Sequence, residues 1–473
     1  APNAPKDLRN TLSSASLVFA AQRDDKASPH DIVASARADY RRLLAVLYEE
    51  GYFGPVIKVR IDGREAATLP PFETIRAVSS VELQIDPGAQ FHFGLTQLGP
   101  LAKDAAITDA FLTGKIAKTG VISQAAAQGV ESWRDKGHAK ARVSDQSIIA
   151  DHRHDTLDVK IRLDAGPKLR FGTLHLAGNT KLSDARLRQI TSLPSGEVFD
   201  PEELEKIAKR LRRTGVFRSV SINEAETPGP DDGLDIEIRV EDDKPRRISF
   251  GAELESRDGL SVSAAWLHRN LFGGGERLLL DGEFSGLGSQ SGNSELAFEA
   301  AFTRPATLHP DMDFGINAKL QNIDNDIYKV NKLGLTFELT RTISDQLNIS
   351  GGVLLEASDS EDDYGLRHFF TAGLPVRAVW DLRDNPLNPT RGTFLNGLAM
   401  PYAGSKDGAA GVRLFADARA YRALGSDRVV AAGRFQIGSI IGPSIAETPP
   451  DYLFLSGGGG SVRGQLYQSG YIT

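Results

Sequence analysis

Two periodicities of apolar spacing divide this chain, and the change falls near residue 244. Before it, apolar residues recur at helical intervals: Ala36, Tyr40, Leu43, Leu44 and Leu47 lie on one face of a helix predicted over Ile32–Tyr48. A helix is likewise predicted over Leu8–Ala20, and strands follow at Val56–Ile61 and Val81–Ile85. The pattern then repeats. Phe91–Leu98 reads as a strand, helical segments run to about Trp133–Lys136, and strands follow at Ala141–Ala150 and Thr156–Leu163. A third copy has strand Leu169–Leu176, helices Asp184–Ile190 and Pro201–Arg213, and strands Phe217–Asn223 and Leu234–Val240. Gly51, Gly137 and Gly215 stop the last helix of each copy, about 80 residues apart, as in a tandem array of one supersecondary unit. The first copy lacks a recognisable leading strand.

Beyond residue 244 the period becomes two. Met312, Phe314, Ile316, Ala318 and Leu320 alternate with Asp313, Gly315, Asn317, Lys319 and Gln321. Leu333, Leu335, Phe337 and Leu339 do the same against Lys332, Gly334, Thr336, Glu338 and Thr340. A soluble barrel or sandwich also alternates, so the strand length of ~9–11 residues, the number of strands and the polar inward face carry the reading: a transmembrane β-barrel. Eleven strand cores fall near residues 250, 263, 280, 298, 316, 335, 350, 376, 396, 415 and 434. Bacterial single-chain barrels close with an even number of strands, because an open edge in lipid leaves backbone groups unsatisfied. More strands are therefore expected beyond Thr473.

Composition alters this picture little. The 473 residues carry a formal charge of -7, which argues against a dedicated nucleic-acid surface. With no cysteine, disulfides and thiolate metal sites are excluded. No apolar run reaches the ~20 residues of a membrane helix. The start, Ala1–Pro5, lacks the basic and apolar regions of a signal peptide, so any such leader is expected to have been removed. His152-Arg153-His154-Asp155 could suggest a metal, but histidines at i, i+2 between strands are usually solvated. Neither Gly-x-Ser-x-Gly nor His-Glu-x-x-His occurs, and no Lys-Ser/Thr follows the glycine run of residues 457–460. Neither an enzyme nor a cofactor or metal is expected.

The third copy has Gly178-Asn179, Leu187, Gly196, Phe199, Leu204, Leu211, Gly215, Phe217, Val220, Leu234 and Val240, and in these residues and its β-α-α-β-β order it resembles the POTRA (polypeptide-transport-associated) domain. After the eleventh strand comes Gly457-Gly458-Gly459-Gly460-Ser461-Val462-Arg463-Gly464. Three such modules, eleven strands and this Val-Arg-Gly loop resemble the outer-membrane assembly-factor superfamily of the BamA/TamA type, and module number places the chain nearest the TamA branch. Asn270–Gly275 and Asp381–Gly392 resemble the family's turns after the second and eighth strands; Gln465, where many members carry an aromatic residue, departs from the pattern.

The resemblance implies α+β modules at 1–88, 89–167 and 168–243 in the periplasm. It also implies the N-terminal part of a 16-stranded outer-membrane barrel at 244–473. It implies a loop folded into the lumen, with Arg463 paired to an inner-wall carboxylate. It further implies a lateral gate at the first strand (Ile248, Phe250, Gly251, Glu253 and Leu254), where a substrate strand adds to an open edge. The third module's edge, Phe217, Val220 and Ile222, would accept extended peptides. The expected partners are a TamB-like periplasmic, inner-membrane-anchored protein, unfolded outer-membrane proteins and outer-membrane lipid, with no nucleic acid. The expected function is assembly of β-barrel or autotransporter-type proteins. The alternatives are lipid transfer with the TamB-like partner, a two-partner-secretion-type transporter, or a passive channel.

Overall fold

A computed structural model of the chain describes residues 4–23, 28–70, 77–255, 259–289, 293–456 and 470–471. The chain forms two compact units. One comprises Ala1–Thr173, Ser195–Glu202 and Glu226–Asp235; the other comprises Leu174–Pro194, Glu203–Ala225 and Ile236–Thr473.

In the first module, the helix expected over Leu8–Ala20 is two helices, Lys6–Ala15 and Leu17–Gln22, broken at Ser16. The break is held by the buried carboxylate of Asp39. It accepts from Ser16 Oγ at 2.5 Å and from the amides of Leu17 and Val18 at 2.7 and 3.3 Å, satisfying donors that a helix start leaves orphaned. Helix Pro29–Glu49 follows, capped by a reciprocal Ser28–Asp31 box. Strands Val56–Ile61 and Val81–Asp86 pair antiparallel, with the short strand Arg64–Glu65 on the far side of Val56–Ile61.

The second module places its leading strand, His92–Gly99, parallel to Thr156–Asp164, with Arg142–Asp151 on the other side. It has one regular helix, Thr119–Arg134. Residues 101–118 form turns, so the full β-α-α-β-β order expected of each copy is realised only in the third. The N-terminus of Thr119–Arg134 is capped from the first module. Glu49 accepts from Thr119 Oγ1 at 2.6 Å and Gly120 N at 2.9 Å, where the helix dipole favours a carboxylate.

The third module has strands Arg170–Asn179, Phe217–Glu224 and Gly233–Asp242, the last in the middle, with helices Asp184–Thr191 and Pro201–Arg213. The central strand alternates, burying Leu234, Ile236, Ile238 and Val240 on one face, while the helices bury Leu187, Ile190, Ile207 and Leu211. Gly51, Gly137 and Gly215 have φ of +85°, +94° and +68°, the left-handed conformation that ends a helix most cheaply in glycine. Gly178 is needed for another reason: a Cβ there would lie 2.0 Å from the Val240 carbonyl oxygen.

Apart from the short pair Leu455–Ser456 and Gly470–Tyr471, the remaining strands form one antiparallel sheet, each pairing with the next from Arg246–Glu255 to Ser426–Ile441. Among the described residues this sheet has eleven strands, at the eleven expected places, once the two pieces of the eighth are taken together. The eighth is interrupted into Gly365–Gly373 and Val376–Asp381 by Pro375, which has no N–H to give the ladder. Both pieces keep one register with each neighbour (Leu354↔Gly373 and Gly351↔Val376; Gly373↔Tyr402 and Val376↔Ala399), so they are one strand. Apolar rows cross the outer face, such as Leu320↔Leu333↔Ala357 and Ile316↔Phe337↔Val353. No helix among the described residues is long and apolar enough to cross a membrane.

The third module's helices grip the sheet through the turns after its second, fourth and sixth strands. Ser183 N donates to Gly273 O at 3.2 Å, and Arg186 donates to the carbonyls of Gly274 and Pro305 at 3.1 and 2.6 Å. Arg210 forms a two-pronged fork to Asp311 at 2.9 and 2.8 Å, and Lys209 reaches Asp345 at 2.5 Å. Burial alone would raise the Asp311 carboxyl's pKa; the Arg210 fork and the neighbouring Arg213 outweigh it and hold the group below its ordinary value. The Arg210 and Asp311 side chains are only 10% and 21% exposed, so their coupling is weakly screened. A double-mutant cycle of Arg210→Ala and Asp311→Ala on the stability of the detergent-solubilised protein should return a coupling of about 1–3 kcal/mol; additive effects would show that the fork contributes nothing to the junction.

Candidate functional site

The inner face of the sheet is polar, and several of its charges meet partners on neighbouring strands. Asp417, on the tenth strand Gly411–Leu424, is 4% exposed and accepts from Arg434 at 3.0 and 2.8 Å and from Arg419 at 2.7 Å. Asn317 and Gln321 reach across to Glu299 and Glu295. The Phe394 ring has two guanidinium groups over it, Arg383 at 4.8 Å and Arg419 at 5.1 Å from its centre.

Against this wall lies the chain that leads into the glycine run. After the eleventh strand ends at Ile441, residues 444–454 make two short 3-10 turns, Ile445–Glu447 and Pro450–Tyr452, the first closed by a Ser444–Glu447 box. Three basic side chains of the wall hold this stem. Arg367 donates to the Ala446 carbonyl oxygen and pairs with Asp362. Lys332, on the sixth strand Lys329–Thr342, lies 2.5 Å from Asp451 and 3.7 Å from Glu356. Arg413 donates to Tyr452 O at 3.2 Å and lies 5.4 and 5.1 Å from the ring centres of Tyr452 and Phe454.

Aromatic packing completes the seat. Tyr452 is 4% exposed and meets Tyr402 edge-to-face with ring centres 5.6 Å apart; Phe454 stacks on Phe415 at 6.0 Å. Gly438 of the eleventh strand makes room, since a Cβ there would lie 2.5 Å from the Phe454 ring. The sequence reading placed Lys332 on the polar face of its strand but gave neither it nor any other residue the task of holding the stem. A signal was available in Pro449-Pro450-Asp451-Tyr452-Leu453-Phe454, an aromatic cluster too apolar for an exposed loop.

The loop residues singled out from sequence, Gly457–Gly460, Val462, Arg463 and Gly464, lie outside the described residues. The residues expected to form a gate lie on the first strand, Arg246–Glu255, which pairs with Gly259–His268 through ten consecutive partners. Ile248, Phe250 and Leu254 are 64%, 83% and 80% exposed on one face, and Gly251 and Glu253 belong to the other. Gly251 answers a close approach, because a Cβ would lie 2.6 Å from Ser263 Oγ. Among the described residues the strand's other edge has no partner. Phe217, Val220 and Ile222 lie on the edge strand of the third module, with a register shift between Phe217 and Ser219. In the second module, His154 Nδ1 lies 2.6 Å from Asp151, and the His152 ring packs edge-on against Phe91.

Residues 270–473 match the Omp85 superfamily domain, and residues 169–242 match the POTRA family, described as a surface antigen variable number repeat. The chain carries an Omp85 superfamily domain behind a POTRA domain. Such a domain is an outer-membrane barrel, so the sheet is barrel wall and the POTRA side is periplasmic. Among curated relatives it is similar to the outer membrane protein assembly factor BamA of Nitratidesulfovibrio vulgaris, at 24% identity over 345 residues, 70% of this chain and 42% of the relative. The corresponding protein of Neorickettsia risticii is 20% identical over 283 residues, 58% of this chain and 36% of the relative. The chain thus spans about two fifths of the length of these relatives. In fold it resembles Haemophilus ducreyi BamA lacking POTRA domains 1-3, with a TM-score of 0.60 at 19% identity, covering 80% of this chain and 76% of that one.

The Omp85 turn after the eighth strand is organised by Asp384. Its carboxylate accepts from Thr390 Oγ1 at 2.6 Å and from the amides of Arg391, Thr390 and Asn385. The Thr390 hydroxyl first, then the backbone donors, pull its pKa from 3.8 to about 2. A depressed carboxylate stabilises above its unfolded pKa and loses that contribution as pH falls through the folded value. The turn should therefore hold down to about pH 4 and loosen between about 4 and 2. Asp384→Asn should speed amide exchange at Thr390 and Arg391 several-fold at neutral pH; unchanged exchange would show that the backbone closes the turn without the carboxylate.

Proposed function

We propose that this chain is an outer-membrane assembly factor that helps insert β-barrel or autotransporter-type proteins into the membrane. The observation that carries this reading is a POTRA domain joined in one chain to an Omp85 superfamily domain. On the first strand of the sheet the exposed Ile248, Phe250 and Leu254 give an incoming strand an apolar neighbour facing lipid. Similarity to proteins named as assembly factors supports it. In this reading Ile248, Phe250, Gly251, Glu253 and Leu254 form one side of a lateral gate. The Gly457–Gly464 segment, seated by the stem, places Arg463 in the lumen against a carboxylate.

The POTRA modules, taken as 1–88, 89–167 and 168–243 ahead of the barrel at 244–473, receive unfolded substrates on edges such as Phe217, Val220 and Ile222. A TamB-like periplasmic partner docks on the same array. No covalent step is required: free energy comes from pairing strand edges and from transferring apolar side chains into lipid.

Liposomes holding the purified protein should accelerate insertion of a urea-unfolded outer-membrane barrel several-fold over protein-free liposomes. Arg463→Ala should lose most of that acceleration while its barrel keeps its resistance to unfolding in cold detergent. Ion conductance with no acceleration would replace this reading with a passive channel, and acceleration of lipid movement alone would replace it with lipid transfer.

A further inference from the structure

The stem is held to the wall by a lysine with two carboxylates in reach. Lys332 Nζ is 2.5 Å from Asp451 Oδ2, which belongs to the stem, and 3.7 Å from Glu356 Oε2, which belongs to the wall itself. Lys332 and Glu356 sit on neighbouring strands and face the same side, two positions apart in register, since Lys332 pairs with Ser358. The Lys332, Asp451 and Glu356 side chains are 15%, 8% and 8% exposed. Glu356 Oε1 and Asp451 Oδ1 have no hydrogen-bond partner. A second carboxylate beside a pair that is already formed is costly in so enclosed a place, because burial penalises charge and the two anions repel. In the docked state Lys332 already has its partner in Asp451, and the other polar neighbour of Glu356 is the Tyr452 hydroxyl, which a neutral acceptor would serve as well.

We propose that Glu356 is a relay for Lys332: when the stem leaves the wall and takes Asp451 with it, Lys332 passes from Asp451 to Glu356. The ammonium then has a carboxylate in both positions of the stem, and departure leaves no unpaired buried charge. Removing one partner of a buried pair is otherwise among the most destabilising changes a protein can undergo. A wall without Glu356 would hold the stem as if by a lock. With Glu356, the docked and released states both satisfy Lys332, and the loop beyond the stem can exchange between them. The aromatic seat and the Arg367 contacts still favour docking, so the relay lowers the cost of release without making release the resting state. The inference rests on this geometry alone and is independent of which cargo the protein assembles.

The relay predicts opposite signs for two neutralising substitutions that a purely structural cluster would move in the same direction. Thr448 is 1% exposed and the chain has no cysteine, so Thr448→Cys supplies a unique thiol whose maleimide labelling reports stem release. In the full-length protein in detergent, Asp451→Asn should raise the labelling rate about tenfold, because the docked state loses its pair. Glu356→Gln should lower it about tenfold, because the released state loses its substitute. Glu356→Asp, which keeps the charge, should restore a rate near that of the parent. Labelling that rises or stays unchanged in Glu356→Gln overturns the proposal. Lys332→Met controls for folding: with the shared cation gone, adding Glu356→Gln to it should no longer slow labelling, and persistent slowing would also overturn the relay.

Discussion

A wall of inward-facing charges is stable only where each charge has a partner, and here the chain supplies many of those partners itself. The wall's own strands pair Asp417 with Arg419 and Arg434. Lys332 and Arg413 receive theirs largely from the folded-in stem, while Arg367 is shared between Asp362 of the wall and the stem's Ala446 carbonyl. The stem in turn is too short to hold itself: two 3-10 turns and a capping box cannot fix eleven residues without a surface to lie on. Each makes the other stable. The outer face follows a simpler rule, since lipid needs nothing from it except apolar side chains and a backbone satisfied by its own ladder.

The parts of this arrangement that repeat were legible in the sequence, and the parts formed by single contacts were not. Period-two alternation over residues 246–441 gave all eleven strands, even the proline-broken eighth, because the outer face must be apolar at every second residue. The helix-ending glycines gave the module period. The break at Ser16 was missed because it depends on Asp39, 23 residues away, which looks in sequence like one more polar position on a helix. The missing second-module helix over residues 101–118 had no pattern to betray it. The stem's seat was invisible for a similar reason: Lys332 is one lysine among alternating polar residues until Asp451 arrives from over a hundred positions downstream. Spacing reveals faces, but not which charge on a face meets which.

Two sets of contacts stiffen the second unit, and their distribution matters more than their number. The third module's helices hold the turns after the second, fourth and sixth strands through Ser183, Arg186, Arg210 and Lys209. The stem binds the inner face of the sixth, eighth and tenth strands through Lys332, Arg367 and Arg413. One set acts at the turns and the other along the lumen, and the sixth strand is engaged by both. A sheet tied in this way resists bending along its middle strands.

The first strand stands apart from both sets. The described contacts of Ile248–Leu254 are its ladder to the second strand, with side chains that are exposed to either side. A strand held by one ladder opens at lower cost than one held by two ladders and a packed face, because fewer bonds and less buried area are lost together. Among the described residues, the polar contacts at the turns and in the lumen fall on later strands and leave the first strand to its ladder alone.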